Sequence, residues 1–371
     1  MLVLAFPSLS PVSPSSTNNL CEDLKSTKKN SSGYFCRHAA ISGLVTDFLS
    51  RAEEKERGSP STSPSSPSSR AQIVSLGAGS DTLFFRLHAA GKAPYLYVEL
   101  DLPEVVSKKA RVIASTPELA ARVGLADVSA SSSSPPSSSS PPSYSRPKID
   151  RIVTPRYALL PCDLRSQAPI STAIRRAQEE SLTSSSSSSS SLPPSRLAFD
   201  ASAPTLFISE CVLVYIPPEA GDEVLRDALR MLKAGDGSEG GGGEGAVVLF
   251  DPCRPGTPFG KQMATNLRAR GCDLAGVSAA PDPEGAASRL RRLGWECSNG
   301  EDKGGNGGSA ADLRHVWDRL LPAESRAFAS GIERLDELEE WNLIMEHYFL
   351  AVGVVKKSPL LEGFGLASLA K

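Results

Sequence analysis

Residues 71–101 read AQIVSLGAGSDTLFFRLHAAGKAPYLYVELD, and this stretch decides the fold. An apolar run of strand length, Ala71 to Leu76, meets the two glycines Gly77 and Gly79. Asp81 to Ala90 follows with Leu83, Phe84 and Leu87 on one helical face, and Tyr95 to Leu100 is a second buried strand. Strand, glycine turn, helix and strand make a βαβ unit, so the strands are parallel and helices cover both faces. The alternation continues through a helix opened by Pro103 and reaching about Ser115, strand Ala158 to Cys162, a helix near Ser171 to Glu180, strand Thr205 to Ser209, helix Pro218 to Leu232 and strand Ala246 to Phe250.

Beyond Phe250 the pattern predicts helices at Phe259 to Arg270 and Gly285 to Leu293 and a short strand Trp295 to Ser298. Helices around Ala311 to Leu320 and Ile332 to Glu340 and a last strand near Tyr348 to Val355 complete it. A final strand reached by a long connection fits an antiparallel edge. The expected fold class is α/β, a seven-stranded doubly wound sheet with the topology of many methyltransferases.

Tracts dominated by Ser, Pro or Gly at 59–69, 129–145, 181–195, 235–245 and 300–308 cannot contribute to a packed core and are expected as surface insertions. A single domain over 33–357 is expected, preceded by a disordered or atypical N-terminus at 1–32 and followed by a tail at 358–371. A formal net charge of −2 with scattered basic residues gives no footprint for nucleic acid. No apolar run approaches the ~20 residues of a membrane helix, so a soluble protein is expected. Seven cysteines without a C-x-x-C pair and four dispersed histidines fit neither a disulfide framework nor a zinc site, and a reducing compartment is expected.

In a doubly wound sheet the ligand binds outside the carboxyl ends of the strands. Gly77 and Gly79 end the first strand, Glu99 and Asp101 the second, Asp163 the third and Glu210 the fourth. A dinucleotide fingerprint needs a third glycine where Thr82 stands, which counts against a pyrophosphate cofactor. Successive carboxylates repel phosphate but suit S-adenosyl-L-methionine, which carries a sulfonium and an ammonium. Each acid taken singly could instead be a helix cap or a solvated loop residue; their coincidence at neighbouring strand ends favours the ligand site.

The segments VSLGAGSDTLFFRL, YVELDLPEVVSKKARVI, ALLPCDLR, PTLFISECVLVYIPPE, FDPCRPGTPFGKQMATNLRARGCDLAGV and EEWNLIMEHYFLAVG resemble the leucine carboxyl methyltransferase family from about Gly33 to about Gly353. The resemblance implies methylation of the C-terminal leucine α-carboxylate in the tail of the protein phosphatase 2A catalytic subunit, by a cytoplasmic monomer. It further implies that Gly77 lies against the cofactor, Asp101 holds the ribose, Asp163 with Leu164 recognises adenine and Glu210 lies near the methionine end. Gly33-Tyr34-Phe35-Cys36-Arg37 matches the family's G-Y-F-x-R, making Arg37 a cofactor-binding residue beside the accepting carboxylate. Tyr215 looks like the tyrosine lining the transfer site, and residues 259–277 are expected as a helical lid. The family's additional N-terminal segment, with its lysine, has no match in residues 1–32, which leaves Arg37 as the matched cation.

A carboxylate acceptor is already anionic at neutral pH and needs no general base, consistent with the absence of a His or Cys constellation. Three alternatives stay open on the sequence: a related carboxyl methyltransferase of a modified tRNA base, a cofactor-binding but weakly active homologue, and, least favoured, a dinucleotide dehydrogenase.

Overall fold

The computed structural model describes residues 31–57, 70–125, 149–183, 197–233, 243–297, 309–332, 338–355 and 358–370. Residues 1–30 and most of the five expected insertions lie outside them; of the latter, 181–183 close a helix and 243–245 lead into a strand.

In chain order the elements are α1 (Ser31–Arg57), β1 (Gln72–Leu76), α2 (Leu83–Ala89), β2 (Leu96–Asp101), α3 (Pro103–Ser115), α4 (Pro117–Val123), β3 (Ile152–Val153), β4 (Tyr157–Pro161), α5 (Pro169–Thr183), β5 (Thr205–Glu210) and α6 (Pro218–Lys233). They continue with β6 (Gly245–Pro252), α7 (Pro258–Ala269), α8 (Pro283–Arg292), β7 (Ala310–Asp312), α9 (Leu313–His315), α10 (Ala323–Ile332), α11 (Leu338–Glu346) and β8 (Tyr348–Val354). The sheet order is β3-β4-β2-β1-β5-β6-β8-β7. β4, β2, β1, β5 and β6 are parallel, and β8 runs antiparallel to β6. This is the expected doubly wound sheet, with the two-residue β3 added antiparallel at one edge as an eighth strand.

Alternation along the central strands builds two cores, since successive side chains leave opposite faces of a strand. Ile73, Leu206, Ile208, Val248 and Phe250 pack under α1, α2, α3 and α9. Val74, Leu76, Phe207, Val247 and Leu249 pack under α5, α6 and α8. α1, to which the sequence reading assigns no element, is held by the buried stripe Cys36, Ala40, Leu44, Phe48 and Ala52. That four-residue spacing is one face of a helix.

Two expectations are corrected. Of the strand expected at Trp295 to Ser298, the described residues Trp295 to Cys297 are not a strand: Trp295 is a buried core side chain, Glu296 makes a single bridge to Val354, and the edge strand is β7. Its sequence, Ala-Ala-Asp, is too short and too small to show strand periodicity. The helix expected from Ala311 starts instead at Leu313, where the Asp312 carboxylate accepts from the His315 backbone N–H, and it widens into a π-turn over Val316–Leu320. The helix expected at Ile332 to Glu340 falls mostly outside the described residues: Ile332 ends α10, which begins after Pro322, and Leu338 to Glu340 open α11.

Residues beyond 357, read as a tail, pack into the first core through two 3-10 turns, Pro359–Leu361 and Leu366–Ala370. Leu360, Leu361, Phe364, Leu366 and Leu369 are buried there, and Phe364 meets Phe48 edge-on at 6.0 Å. Leu366→Ala should therefore cost about 2–4 kcal/mol in urea unfolding, as a core truncation does; a loss under ~0.5 kcal/mol would show that the segment is peripheral.

Candidate active site

Register sets the site level. Leu76 pairs with Leu100 on β2 and with Ser209 on β5, so Gly77, Asp101 and Glu210 each stand one residue past a common row. Asp101 in turn pairs with Pro161, two residues before Asp163. The four strand ends singled out in the sequence thus form one ledge along β4-β2-β1-β5.

At its centre the chain turns through Gly77 at φ +61° and Gly79 at φ +52°. A Cβ on Gly77 would sit 2.5 Å from Val212 Cγ2, so both the backbone angle and the close approach require glycine. The Gly77 N–H donates to the Leu100 carbonyl at 2.7 Å. Asp101 Oδ2 accepts from the Gly79 N–H at 2.6 Å and Oδ1 from the Leu102 N–H at 2.7 Å. Two backbone donors thus orient this carboxylate, which retains lone pairs for a further diol.

Glu99 lies on the same side of β2 as Asp101 but does not face the ledge. It is 1% exposed and ion-paired with Lys109, and burial pushes its carboxyl up to about 7. Asp163 is gripped bidentately by Arg165 at 2.7 and 2.8 Å, which holds its carboxyl below the usual range, and Leu164 is buried in the second core.

Beyond β5 the backbone is strained. Cys211 adopts φ +55°, a left-handed conformation costly for a residue with a Cβ. Its N–H donates to the Phe250 carbonyl at 2.6 Å, which fixes the turn. The next N–H, that of Val212, donates to Asp251 Oδ1 at 3.1 Å. Asp251 is 4% exposed, and burial pushes its carboxyl up to about 7. Together these contacts set Val212 over Gly77 and carry the chain into the 3-10 turn Leu213–Tyr215. Tyr215 is half-buried there, and burial raises its phenol.

Arg37, on α1, joins the ledge to a second compartment. Its guanidinium is ion-paired with Glu210, and its Cζ lies 5.1 Å from the centroid of the Phe250 ring. Phe250 stacks on Tyr348 with centroids 5.4 Å apart. Past these rings opens a cavity of about 180 Å³ walled by Tyr34, Phe259, Met263, Leu313, Ile344 and Met345, with Arg37 at its edge. The tyrosines lining it are Tyr34 and Tyr348, while Tyr215 stands outside its lining. The N-terminus of α7, one wall, is fixed by Thr257, which accepts from the Gly260 N–H at 2.9 Å and meets His347 Nε2 at 2.6 Å.

The sequence reading missed Cys211, Asp251 and most of this lining. Cys211 carries no signal in its residue type. The lining residues come from five distant segments that only the topology brings together. Among the described residues no cluster of His, Cys, Asp and Glu could hold a metal ion, and no helix is long and apolar enough to cross a membrane.

Glu99 and Asp251 titrate against stability in the same direction. Their folded pKa values lie above their unfolded ones, so the folded chain binds more protons between about pH 4.5 and 7. Stability from these groups is complete below the unfolded pKa and is lost as pH rises through about 7. Denaturant unfolding should show a loss of roughly 2–4 kcal/mol between pH 5.5 and 8, of which Asp251→Asn should remove about half. An equally steep loss in that variant would clear Asp251 of the role.

Comparison with known proteins shows the family. The sequence model described as leucine carboxyl methyltransferase matches residues 65–228. Leucine carboxyl methyltransferase 1 of Emericella nidulans is 31% identical over 90% of this chain and 76% of its own length. Its Arabidopsis thaliana homolog is 28% identical over 90% and 79%. A tRNA wybutosine-synthesizing protein 4 from Rattus norvegicus is 30% identical over 86% of this chain but 37% of its own length. With the glycine cradle, the oriented Asp101 and the Arg37–Glu210 pair in place, the chain belongs to the leucine carboxyl methyltransferase family and is an S-adenosylmethionine-dependent carboxyl methyltransferase.

Proposed function

We propose that the protein methylates the C-terminal leucine α-carboxylate of the protein phosphatase 2A catalytic subunit, forming a methyl ester. The observation that carries this reading is an apolar cavity bordered by a guanidinium. A dry cavity of roughly 150 Å³ holds a group the size of benzene, so the space beside Arg37 suits one branched aliphatic side chain with its carboxylate turned to the cation. The second reading, a carboxyl group on a modified tRNA base, is favoured by the wybutosine-synthesizing relative. The rings of Tyr34, Phe250, Phe259 and Tyr348 share the lining with aliphatic and thioether groups, and a space of about 180 Å³ supports a leucine side chain over a larger modified base.

The ledge fits the cofactor. Gly77 and Gly79 leave room for close approach, Asp101 offers a carboxylate to a ribose, and Glu210 with Arg37 complements an amino group and a carboxylate. When bound, S-adenosylmethionine supplies an electrophilic methyl group on a sulfonium. The accepting carboxylate, with an ordinary pKa of about 3.5, is ionised without help from the protein. Arg37 orients it. Phe250, Phe259 and Met345 exclude water, which favours a step that neutralises opposite charges. Tyr34 and Tyr348 place hydroxyl-bearing rings at the same wall, and the alignment of oxygen with the methyl carbon is the chief contribution of the fold.

Labelled cofactor incubated with the phosphatase catalytic subunit should yield a label released by mild alkali. A label stable to alkali, or one transferred only to tRNA, would overturn the reading. Arg37→Lys should lower kcat/KM for the phosphatase about ten- to a hundredfold, because an ammonium lacks the planar grip of a guanidinium. Gly77→Ala should weaken cofactor binding by at least about tenfold through both φ and the Val212 clash; calorimetry giving an unchanged affinity would remove the cofactor from this turn.

A further inference from the structure

One charged side chain lies on the buried face of its helix. In α3 the residues Val106, Ala110 and Ile113 form the core stripe, and Lys109 stands within it at helical spacing. Its side chain is 9% exposed, and its ammonium pairs with Glu99, which is 1% exposed. Two charges withdrawn from water recover the cost only when further hydrogen bonds satisfy them. Lys109 makes such a bond, since Nζ donates to the Asp81 carbonyl at 2.8 Å.

Asp81 ends the glycine turn. Its own N–H donates to the Ala78 carbonyl at 2.9 Å, and its Oδ1 accepts from the Leu83 N–H at 3.0 Å, which starts α2. The turn is therefore held at three successive points. The Leu100 carbonyl receives Gly77, the Asp101 carboxylate receives Gly79, and Lys109 grips the far end from another helix. The first two clamps come from β2, so without the third nothing described here ties the turn to α3.

We propose that Lys109 is a positioning residue for methyl transfer: by clamping the Asp81 carbonyl it holds the Gly77–Asp81 turn in the shape that receives the cofactor, with Glu99 as the counter-ion that offsets the burial of the ammonium. Lys109 acts through the backbone of the turn, and Glu99 lies beneath the ledge, off the binding surface. The inference rests on the placement of the cofactor at that turn.

The alternative is that Lys109 only compensates Glu99, and substitutions separate the two. Glu99→Gln removes the buried acid and keeps the Lys109–Asp81 bond. Glu99→Gln with Lys109→Met leaves no buried charge unpaired, so it folds even if Lys109→Met alone does not, but it lacks the clamp. Titration with S-adenosylhomocysteine should give the double variant about tenfold weaker binding than the parent and Glu99→Gln within about threefold of it. The KM for S-adenosylmethionine should shift in the same sense, with kcat at saturating cofactor within about twofold and the melting temperature of the double variant not lowered. Parental affinity in the double variant, or an equal loss in Glu99→Gln, would overturn the proposal. Asp101→Ala serves as control: if it too binds like the parent, the cofactor is not at this turn and the underlying reading fails; if it binds weakly while the double variant does not, only the role of Lys109 is refuted.

Discussion

A guanidinium held between a carboxylate and an aromatic ring joins the two compartments of this enzyme. Arg37 comes from α1, Glu210 from the end of β5 and Phe250 from β6, so the contact exists only when the helix lies across the sheet at the switch point. The buried stripe of α1 and the C-terminal turns that pack on it fix that placement. A cation over a ring contributes roughly 0.5–2 kcal/mol, and removing one partner of a shielded ion pair costs more than the pair contributes, because the other charge is left alone. The arrangement therefore penalises loss of Arg37 in structure.

The same neighbourhood holds three departures from ordinary folding preference: a left-handed Cys211, a buried Asp251 and a buried Glu99. Each lowers stability, and each fixes backbone that borders the ledge. Cys211 and Asp251 set the course of the segment that passes over Gly77, and Glu99 pairs with the lysine beneath it. Strain of about 1–3 kcal/mol at one residue persists when the surroundings overdetermine it, and here the Cys211 N–H bonded to the Phe250 carbonyl and the Val212 N–H bonded to the Asp251 carboxylate do so.

Much of this was legible in residues 71–101, because buried parallel strands leave unmistakable apolar runs and a glycine turn between strand and helix admits few geometries. The row of strand-end residues Gly77, Asp101, Asp163 and Glu210 followed from the strand assignments alone. Glu99 was legible only in part: alternation placed it beside Asp101, but its burial against Lys109 depends on α3 lying across β2. α1 was missed although Cys36, Ala40, Leu44, Phe48 and Ala52 carry its period. β7 offered three residues and no pattern. The cavity beside Arg37 could not be read, since Tyr34, Phe250, Met263, Leu313 and Met345 share no spacing and meet only through the antiparallel return of β8.

The central claim is that the protein aligns an acceptor already ionised and moves no proton. The most direct test is the pH dependence of kcat with saturating S-adenosylmethionine and the phosphatase catalytic subunit, over the range in which both proteins stay folded. Orientation by Arg37 without a general base predicts a rate level within about twofold from pH 6.5 to 9. A rate rising tenfold per unit through a pKa near 7 would mean that a protein group must lose a proton before the methyl moves, and would contradict the account.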